Sequence, residues 1–204
     1  MLLNAVQTVW HVFFPPDIHQ RRVQNLHADT FCEQYYCPQS TSRHTHLLSY
    51  ADPAVASCIY AAKFRGNQTA QKILATALAM YLQQARTPVV LVPIPLSRRR
   101  YRKRGYNQII EIAKRLDQPG QTHIIEALYR NTHTKPQTTL QRAERLENMK
   151  GVFSVQKNKL AAIPTNATVY IIDDVTTTGA TLTEAHRALR DHVANTITCV
   201  ALAH

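Results

Sequence analysis

Val169-Tyr170-Ile171-Ile172-Asp173-Asp174-Val175-Thr176-Thr177-Thr178-Gly179-Ala180-Thr181 joins a short apolar run to two acids and then to a threonine-rich turn. Four apolar or aromatic residues in succession, without polar alternation, read as a parallel strand buried on both faces. In open α/β sheets ligands gather at the carboxyl ends of such strands, and Asp173 and Asp174 fall there. Val175, Thr176, Thr177, Thr178, Gly179, Ala180 and Thr181 then supply backbone N–H groups and hydroxyls around the start of a helix, where anions bind favourably. Gly179 permits the tight turn.

Acids beside an anion cradle suit a ligand that carries both hydroxyls and a phosphate, and ribose 5-phosphate has both. Ionised carboxylates accept hydrogen bonds from the 2′- and 3′-OH while the loop holds the 5′-phosphate. An Asp-Asp pair by itself fits a Mg²⁺ site of a phosphoryl acceptor, or two solvated turn residues, equally well. The unbroken string from strand to helix is more specific. Only five glycines occur, at 66, 105, 120, 151 and 179, and no two have the spacing of a dinucleotide fingerprint or a P-loop.

Upstream, Val89-Val90-Leu91-Val92 reads as a second buried strand. It leads through Pro93-Ile94-Pro95-Leu96-Ser97 into a basic run in which six of the seven residues from Arg98 to Arg104 are cationic, followed by Gly105-Tyr106-Asn107-Gln108. Such a run is ordinarily a solvated loop. Its place after a buried strand puts it on the same sheet end as Asp173 and Asp174, and Tyr101 and Tyr106 among the cations suit stacking on unpaired bases. Arg98, Arg99, Arg100, Arg102 and Lys103 are the candidate nucleic-acid contacts. Lys63-Phe64-Arg65-Gly66 closes a helix from about Ala54, with basic residues and a glycine as the stop signal. Ile73, Leu74, Ala77, Leu78, Tyr81 and Leu82 mark a core-facing helix from about Thr69 to Gln84. A polar helix carrying Arg142 and Arg145 follows Lys135-Pro136-Gln137-Thr138-Thr139-Leu140. Thr181 to Asp191 reads as the helix after the acidic strand, and Thr196 to Leu202 as the last strand. Strands alternating with helices imply an α/β fold with a parallel sheet.

The segment from Val169 to Thr181 resembles the 13-residue signature of type I phosphoribosyltransferases, which bind 5-phosphoribosyl 1-pyrophosphate (PRPP). Four stretches together resemble the ComF (ComF/GntX-like) family: Lys63-Phe64-Arg65-Gly66; Val92-Pro93-Ile94-Pro95-Leu96 to Arg104-Gly105-Tyr106-Asn107-Gln108; Gln137 to Asn148; and the PRPP motif. The resemblance covers residues 50–204. It implies a three-layer type I phosphoribosyltransferase fold, with Asp173 and Asp174 steadying the ribose rather than accepting a proton. It also implies pyrophosphate near Arg104, Gly105, Tyr106 and Asn107, Mg²⁺ accompanying PRPP, and a part in natural transformation with single-stranded DNA and proteins of the DNA-uptake machinery as partners.

Residues 1–49 form an N-terminal segment that reads as a degenerate or replaced zinc finger, and residues 50–204 the phosphoribosyltransferase-like domain. ComF proteins often begin with paired C-x-x-C knuckles, and this chain has none. Cys32, Cys37, His44 and His46 are spaced too loosely for a structural Zn²⁺ site, so zinc is not expected and no metal ligand is assigned. Cys58 and Cys199 read as buried side chains. With 24 Lys and Arg against 13 Asp and Glu, the formal charge of +11 favours polyanionic partners. The first residues lack a signal-peptide pattern and no apolar run approaches a membrane span, so a cytoplasmic location is expected. A ComF-like protein that binds PRPP and single-stranded DNA is the leading expectation. The alternative is an active Mg²⁺-dependent phosphoribosyltransferase, whose base-recognising hood the sequence does not reveal.

Overall fold

A computed structural model describes residues 18–116, 122–131 and 151–204. The polar helix expected around Arg142 and Arg145 lies outside the described residues. The chain begins with α1 (Ile18–Val23), α2 (Ala28–Tyr35), β1 (Tyr36–Ser40), β2 (Thr45–Leu48), α3 (Pro53–Arg65), α4 (Gln68–Leu82) and β3 (Val89–Pro93). It continues with α5 (Arg98–Arg104), α6 (Gln108–Ala113), β4 (Thr122–Ile124), β5 (Leu128–Arg130), β6 (Phe153–Val155), α7 (Lys157–Leu160), β7 (Thr168–Val175), α8 (Ala180–Arg190) and β8 (Ile197–Ala203).

Six strands make one sheet in the order β1-β2-β8-β7-β3-β4, parallel except where β1 runs against β2. The expected strands are present, and β7 is central between β8 and β3. The sheet does not stop at residue 50: β1 and β2, within the N-terminal segment, extend it at the β8 edge, with Leu48 opposite Ala203. β5 and β6 form a separate antiparallel ribbon.

Alternation along the buried strands divides the core between two faces. Leu91, Tyr170, Ile172, Val200 and Leu202 pack toward α3, α4 and α6, against Val55, Ile73, Leu78 and Ile112. Val90, Val92, Val169, Ile171, Cys199 and Ala201 pack toward α8 and the β5–β6 ribbon, against Leu182, Leu189, Leu128 and Phe153. The sheet is therefore the middle of three layers. That parity carries on past the core, so Asp173 follows Ile171 to the α8 face and Asp174 follows Ile172 to the α3 face.

The basic run is a helix, not the expected loop. Ser97 Oγ accepts from the N–H of Arg100 at 3.3 Å to start α5, and Gly105, with φ of 80°, ends it by donating its N–H to the Tyr101 carbonyl at 2.7 Å. These are ordinary N-cap and left-handed C-cap devices, and they outweigh the repulsion of like charges at one-turn spacing because the side chains lie in water. No residue of α5 is buried.

Asn107 fixes where α5 hands over to α6. Its amide nitrogen donates to the Ile94 carbonyl at 2.9 Å, and its Oδ1 caps α6 by accepting from the Ile109 N–H at 3.0 Å. Replacing Asn107 by Ala removes the cap and strands a buried carbonyl, so urea denaturation should show a loss of about 2 kcal/mol. A loss below about 0.5 kcal/mol would mean that water satisfies both groups.

Candidate functional site

β7 ends in Asp173 and Asp174, and the two acids have opposite fates. Asp174 is buried and accepts on both oxygens: Oδ1 from the Val175 N–H at 2.7 Å, and Oδ2 from Lys63 Nζ and Gln108 Nε2, each at 2.5 Å. Lys63 comes from the last turn of α3, where a cation also complements the helix dipole. Gln108 opens α6 and is itself held by Arg104, whose Nη1 donates to Gln108 Oε1 at 3.1 Å. The position of Lys63 is set by Tyr106, whose hydroxyl donates to the Ala62 carbonyl at 2.9 Å. Tyr106 also lies against Gly66, the left-handed cap of α3.

Asp173 looks to the other face. One of its oxygens accepts the Asp174 N–H at 2.9 Å. Burial, reinforced by the neighbouring Asp174 charge, raises its carboxyl to about 7, against a weaker pull downward from that backbone bond and from Lys63. On the same side, Arg130 of β5 has its guanidinium 5.6 Å from the Phe153 ring centroid. Burial lowers its pKa first, the Arg100 charge adds to that effect, and the Asp173 carboxylate opposes it. Arg130 thus feels both the charge of the basic helix and that of the acid.

The loop after β7 is built for a turn tight enough to aim N–H groups outward. Thr176 is buried, donates its N–H to the Ala203 carbonyl at 3.0 Å and accepts the Gly179 N–H on its hydroxyl at 3.0 Å. Thr178 Oγ1 accepts from the Ala180 N–H at 3.3 Å. Helix geometry leaves the N–H groups of Thr181 and Leu182 pointing out of the first turn of α8, beside the exposed Thr177. Gly179, with φ of 72°, could carry no side chain here, since an added Cβ would lie 2.8 Å from His44 Nδ1.

His44 belongs to a cluster with His46 and His204, whose rings lie 4.8 to 6.3 Å apart between centroids. His204 Nε2 is 3.0 Å from the Thr177 carbonyl, so the cluster underlies the loop. Burial lowers the pKa of both His44 and His46, with the His204 charge adding to it, which keeps these imidazoles neutral supports near pH 7.

Of the residues singled out from sequence, Asp173, Asp174 and Val175 to Thr181 run consecutively through the end of β7, the turn and the start of α8, with Asp174 and Thr176 buried. Arg104 reaches Asp174 through Gln108, and its guanidinium also covers the Phe64 ring at 4.7 Å. Tyr106 and Asn107 are spent on the scaffold, and Gly105 is the helix cap. Arg98, Arg99, Arg100, Arg102 and Lys103 line the exposed α5 with Tyr101, which is 54% exposed. Lys63, Gln108 and Arg130 were not singled out as site residues. Lys63 and Gln108 stood inside motifs quoted for other reasons, while nothing in the sequence around Arg130 marked it.

The cysteines go elsewhere. Cys32 packs in the core with its Sγ 3.8 Å from the Ile73 carbonyl and its thiol pushed up to about 11 by burial, whereas Cys37 is exposed on β1. Among the described residues, no group of three or more His, Cys, Asp or Glu is placed to share a metal ion, and no helix is long and apolar enough to cross a membrane.

The raised carboxyl of Asp173 carries a cost with a definite sign. A folded-state value above the ordinary 3.8 means that folding holds this proton more tightly than the unfolded chain does, so the contribution is favourable in acid and is lost as pH rises through about 7. Asp173→Asn should therefore be more stable than the wild type at pH 8, by at least about 1 kcal/mol, with the gap closing toward pH 4. Thermal denaturation across that range checks it, and a gap independent of pH would mean that Asp173 ionises without penalty.

Residues 64–204 match the phosphoribosyl transferase domain family. Competence protein F of Haemophilus influenzae is 35% identical over 123 residues, which span 57% of this chain and 51% of that protein. Competence protein ComFC of Bacillus subtilis is 36% identical over 100 residues, 49% of this chain and 38% of that protein, so the chain spans about half or less of these relatives' length. A hypoxanthine phosphoribosyltransferase from Staphylococcus aureus aligns over 64% of this chain and 61% of its own, at 18% identity and a TM-score of 0.39. The chain belongs to the phosphoribosyl transferase domain family, and over part of its length it is similar to two competence proteins.

Proposed function

We propose that the protein binds PRPP or a related ribose 5-phosphate at the β7–α8 loop and single-stranded DNA along α5, as a competence protein handling incoming DNA. The observation that carries the sugar-phosphate part is the division of labour between the two acids. Asp174 is consumed in holding α3 and α6 to the sheet, which leaves Asp173 as the acceptor for ribose hydroxyls, just before the anion-binding turn. This refines the expectation that both acids hold the sugar. No residue here needs to move a proton: Asp173 accepts hydroxyl hydrogen bonds, the loop N–H groups and Arg130 meet phosphate charge, and Mg²⁺, where PRPP brings it, screens the pyrophosphate.

Calorimetry separates the two parts of the sugar-phosphate site. Asp173→Asn should weaken PRPP on the order of tenfold or more while inorganic phosphate binds as in the wild type, because only the sugar loses its ionised acceptor. Wild-type affinity for PRPP should also fall below pH 7, as Asp173 takes up its proton. Equal PRPP affinity in wild type and variant would remove the ribose from this acid.

The DNA part rests on six cations within the seven residues of α5, all but Arg104 exposed, with Tyr101 among them and the similarity to two competence proteins behind it. Backbone contacts release counterions, so binding should be sequence-independent and steeply weakened by salt. Replacing Arg99, Arg100 and Arg102 together by Ala should lower the slope of log K against log salt by roughly 2, at about 0.7 per lost phosphate contact on a single strand. A salt titration with labelled oligonucleotides measures this. Identical slopes place the DNA elsewhere, and no binding by the wild type at low salt leaves an active phosphoribosyltransferase as the better reading.

A further inference from the structure

The family likeness implies Mg²⁺ near a PRPP site, and the donors around the acids can be tested for a place to put it. They do not fit a divalent cation. A hard dication wants several free oxygens. Both oxygens of Asp174 are occupied, by the Val175 N–H on one side and by Lys63 and Gln108 on the other. Asp173 has given one oxygen to the Asp174 N–H. The electrostatics point the same way. Lys63 neutralises Asp174 directly, Arg104 bears on it through Gln108, and Arg130 acts on Asp173. Two carboxylates are thus matched by at least two cations before any ligand arrives.

Resting on the ribose-phosphate reading above, we propose that Lys63 is the resident counter-ion of this site, an ammonium built into α3 that does for the acid pair what a bound dication would do, so that recognition of the ribose phosphate itself needs no Mg²⁺. Lys63 is well placed for the task. Its side chain is 21% exposed, close enough to solvent for a ligand to reach its edge, and its helix end is pinned by Tyr106 to the Ala62 carbonyl. Lys63 is a positioning residue in this account: it fixes Asp174 and sets the charge that Asp173 experiences. The inference concerns the sugar and its 5-phosphate; Mg²⁺ carried in by the pyrophosphate of PRPP is a separate matter.

Ribose 5-phosphate is the appropriate probe, because it lacks the pyrophosphate that chelates Mg²⁺. Wild-type affinity measured by calorimetry should be the same in EDTA and in millimolar Mg²⁺. Lys63→Met should bind at least about tenfold more weakly in EDTA, since a charge-assisted network is lost, and should recover part of that loss when Mg²⁺ is added. Lys63→Arg should keep most of the affinity and remain indifferent to Mg²⁺. A purely structural lysine would not make the Met variant cation-dependent. If Lys63→Met does not fold, Lys63→Gln, whose amide still donates to Asp174 without charge, makes the same comparison.

A second measurement uses the metal alone. Water-proton relaxation with Mn²⁺ should detect no site in the wild type that disappears in Asp173→Asn, and should detect such a site in Lys63→Met. Wild-type affinity for ribose 5-phosphate that rises about tenfold or more with Mg²⁺, a Lys63→Met variant that binds like the wild type, or a wild-type Mn²⁺ site abolished by Asp173→Asn would each overturn the inference. Wild-type protein that takes up ribose 5-phosphate in neither condition would overturn the ribose-phosphate reading instead, and the Mn²⁺ comparison would still decide whether Lys63 holds the place of a cation.

Discussion

Three donors converge on the buried carboxylate of Asp174, and the candidate site is organised around that convergence. An isolated carboxylate at this depth would be strongly unfavourable, and removing one partner from such a buried pair typically costs several kcal/mol. Lys63, Gln108 and the Val175 N–H meet the demand together, and in doing so they tie the end of α3 and the start of α6 to the central strand. The network continues outward through Arg104 to the Phe64 ring and through Tyr106 to the last turn of α3. Much of the conspicuous motif from Arg104 to Gln108 therefore serves to hold Asp174.

Strand parity explains why two adjacent acids can have separate roles. Successive side chains of β7 point to opposite faces, so acids one residue apart see different layers of the molecule. Asp174 meets the cation-bearing helices. Asp173 emerges toward the other layer, just before the glycine-bearing turn, where burial and its neighbour's charge hold its carboxyl near 7. A group whose ionisation weakens the fold at neutral pH is an expensive residue to keep for structure, whereas an acceptor facing a polyhydroxyl ligand recovers that cost on binding.

The strand-acid-turn string was readable because it is local: four buried residues, two acids, a glycine at the left-handed position and a helix are all consecutive. The parallel sheet followed from the same kind of local pattern in Val89 to Val92. The helical state of α5 was within reach, since Ser97 and Gly105 are caps in the right places, but the density of like charge argued for a loop. Lys63 shows the limit of local reading. Its motif was visible as a helix stop, yet its partner Asp174 lies 111 positions away by number, and only the packing of α3 on β7 joins them. The same holds for His204, His44 and Gly179, which come together because β2 pairs with β8.

The two kinds of positive charge in this protein differ physically, and that difference bears on what each can recognise. The α5 arginines stand in water, where screening limits any single contact and binding must come from many phosphates at once. Lys63, Arg104 and Arg130 are partly buried, fixed by neighbours and few, which suits one phosphate or one sugar held in a defined orientation. Arg104, the last residue of α5, belongs to both sets: it ends the basic helix and holds Gln108. A ligand that displaced Arg104 from Gln108 would loosen the support of Asp174 and shift the end of α5 with it. One guanidinium–amide contact of 3.1 Å thus joins the end of the basic helix to the support of Asp174.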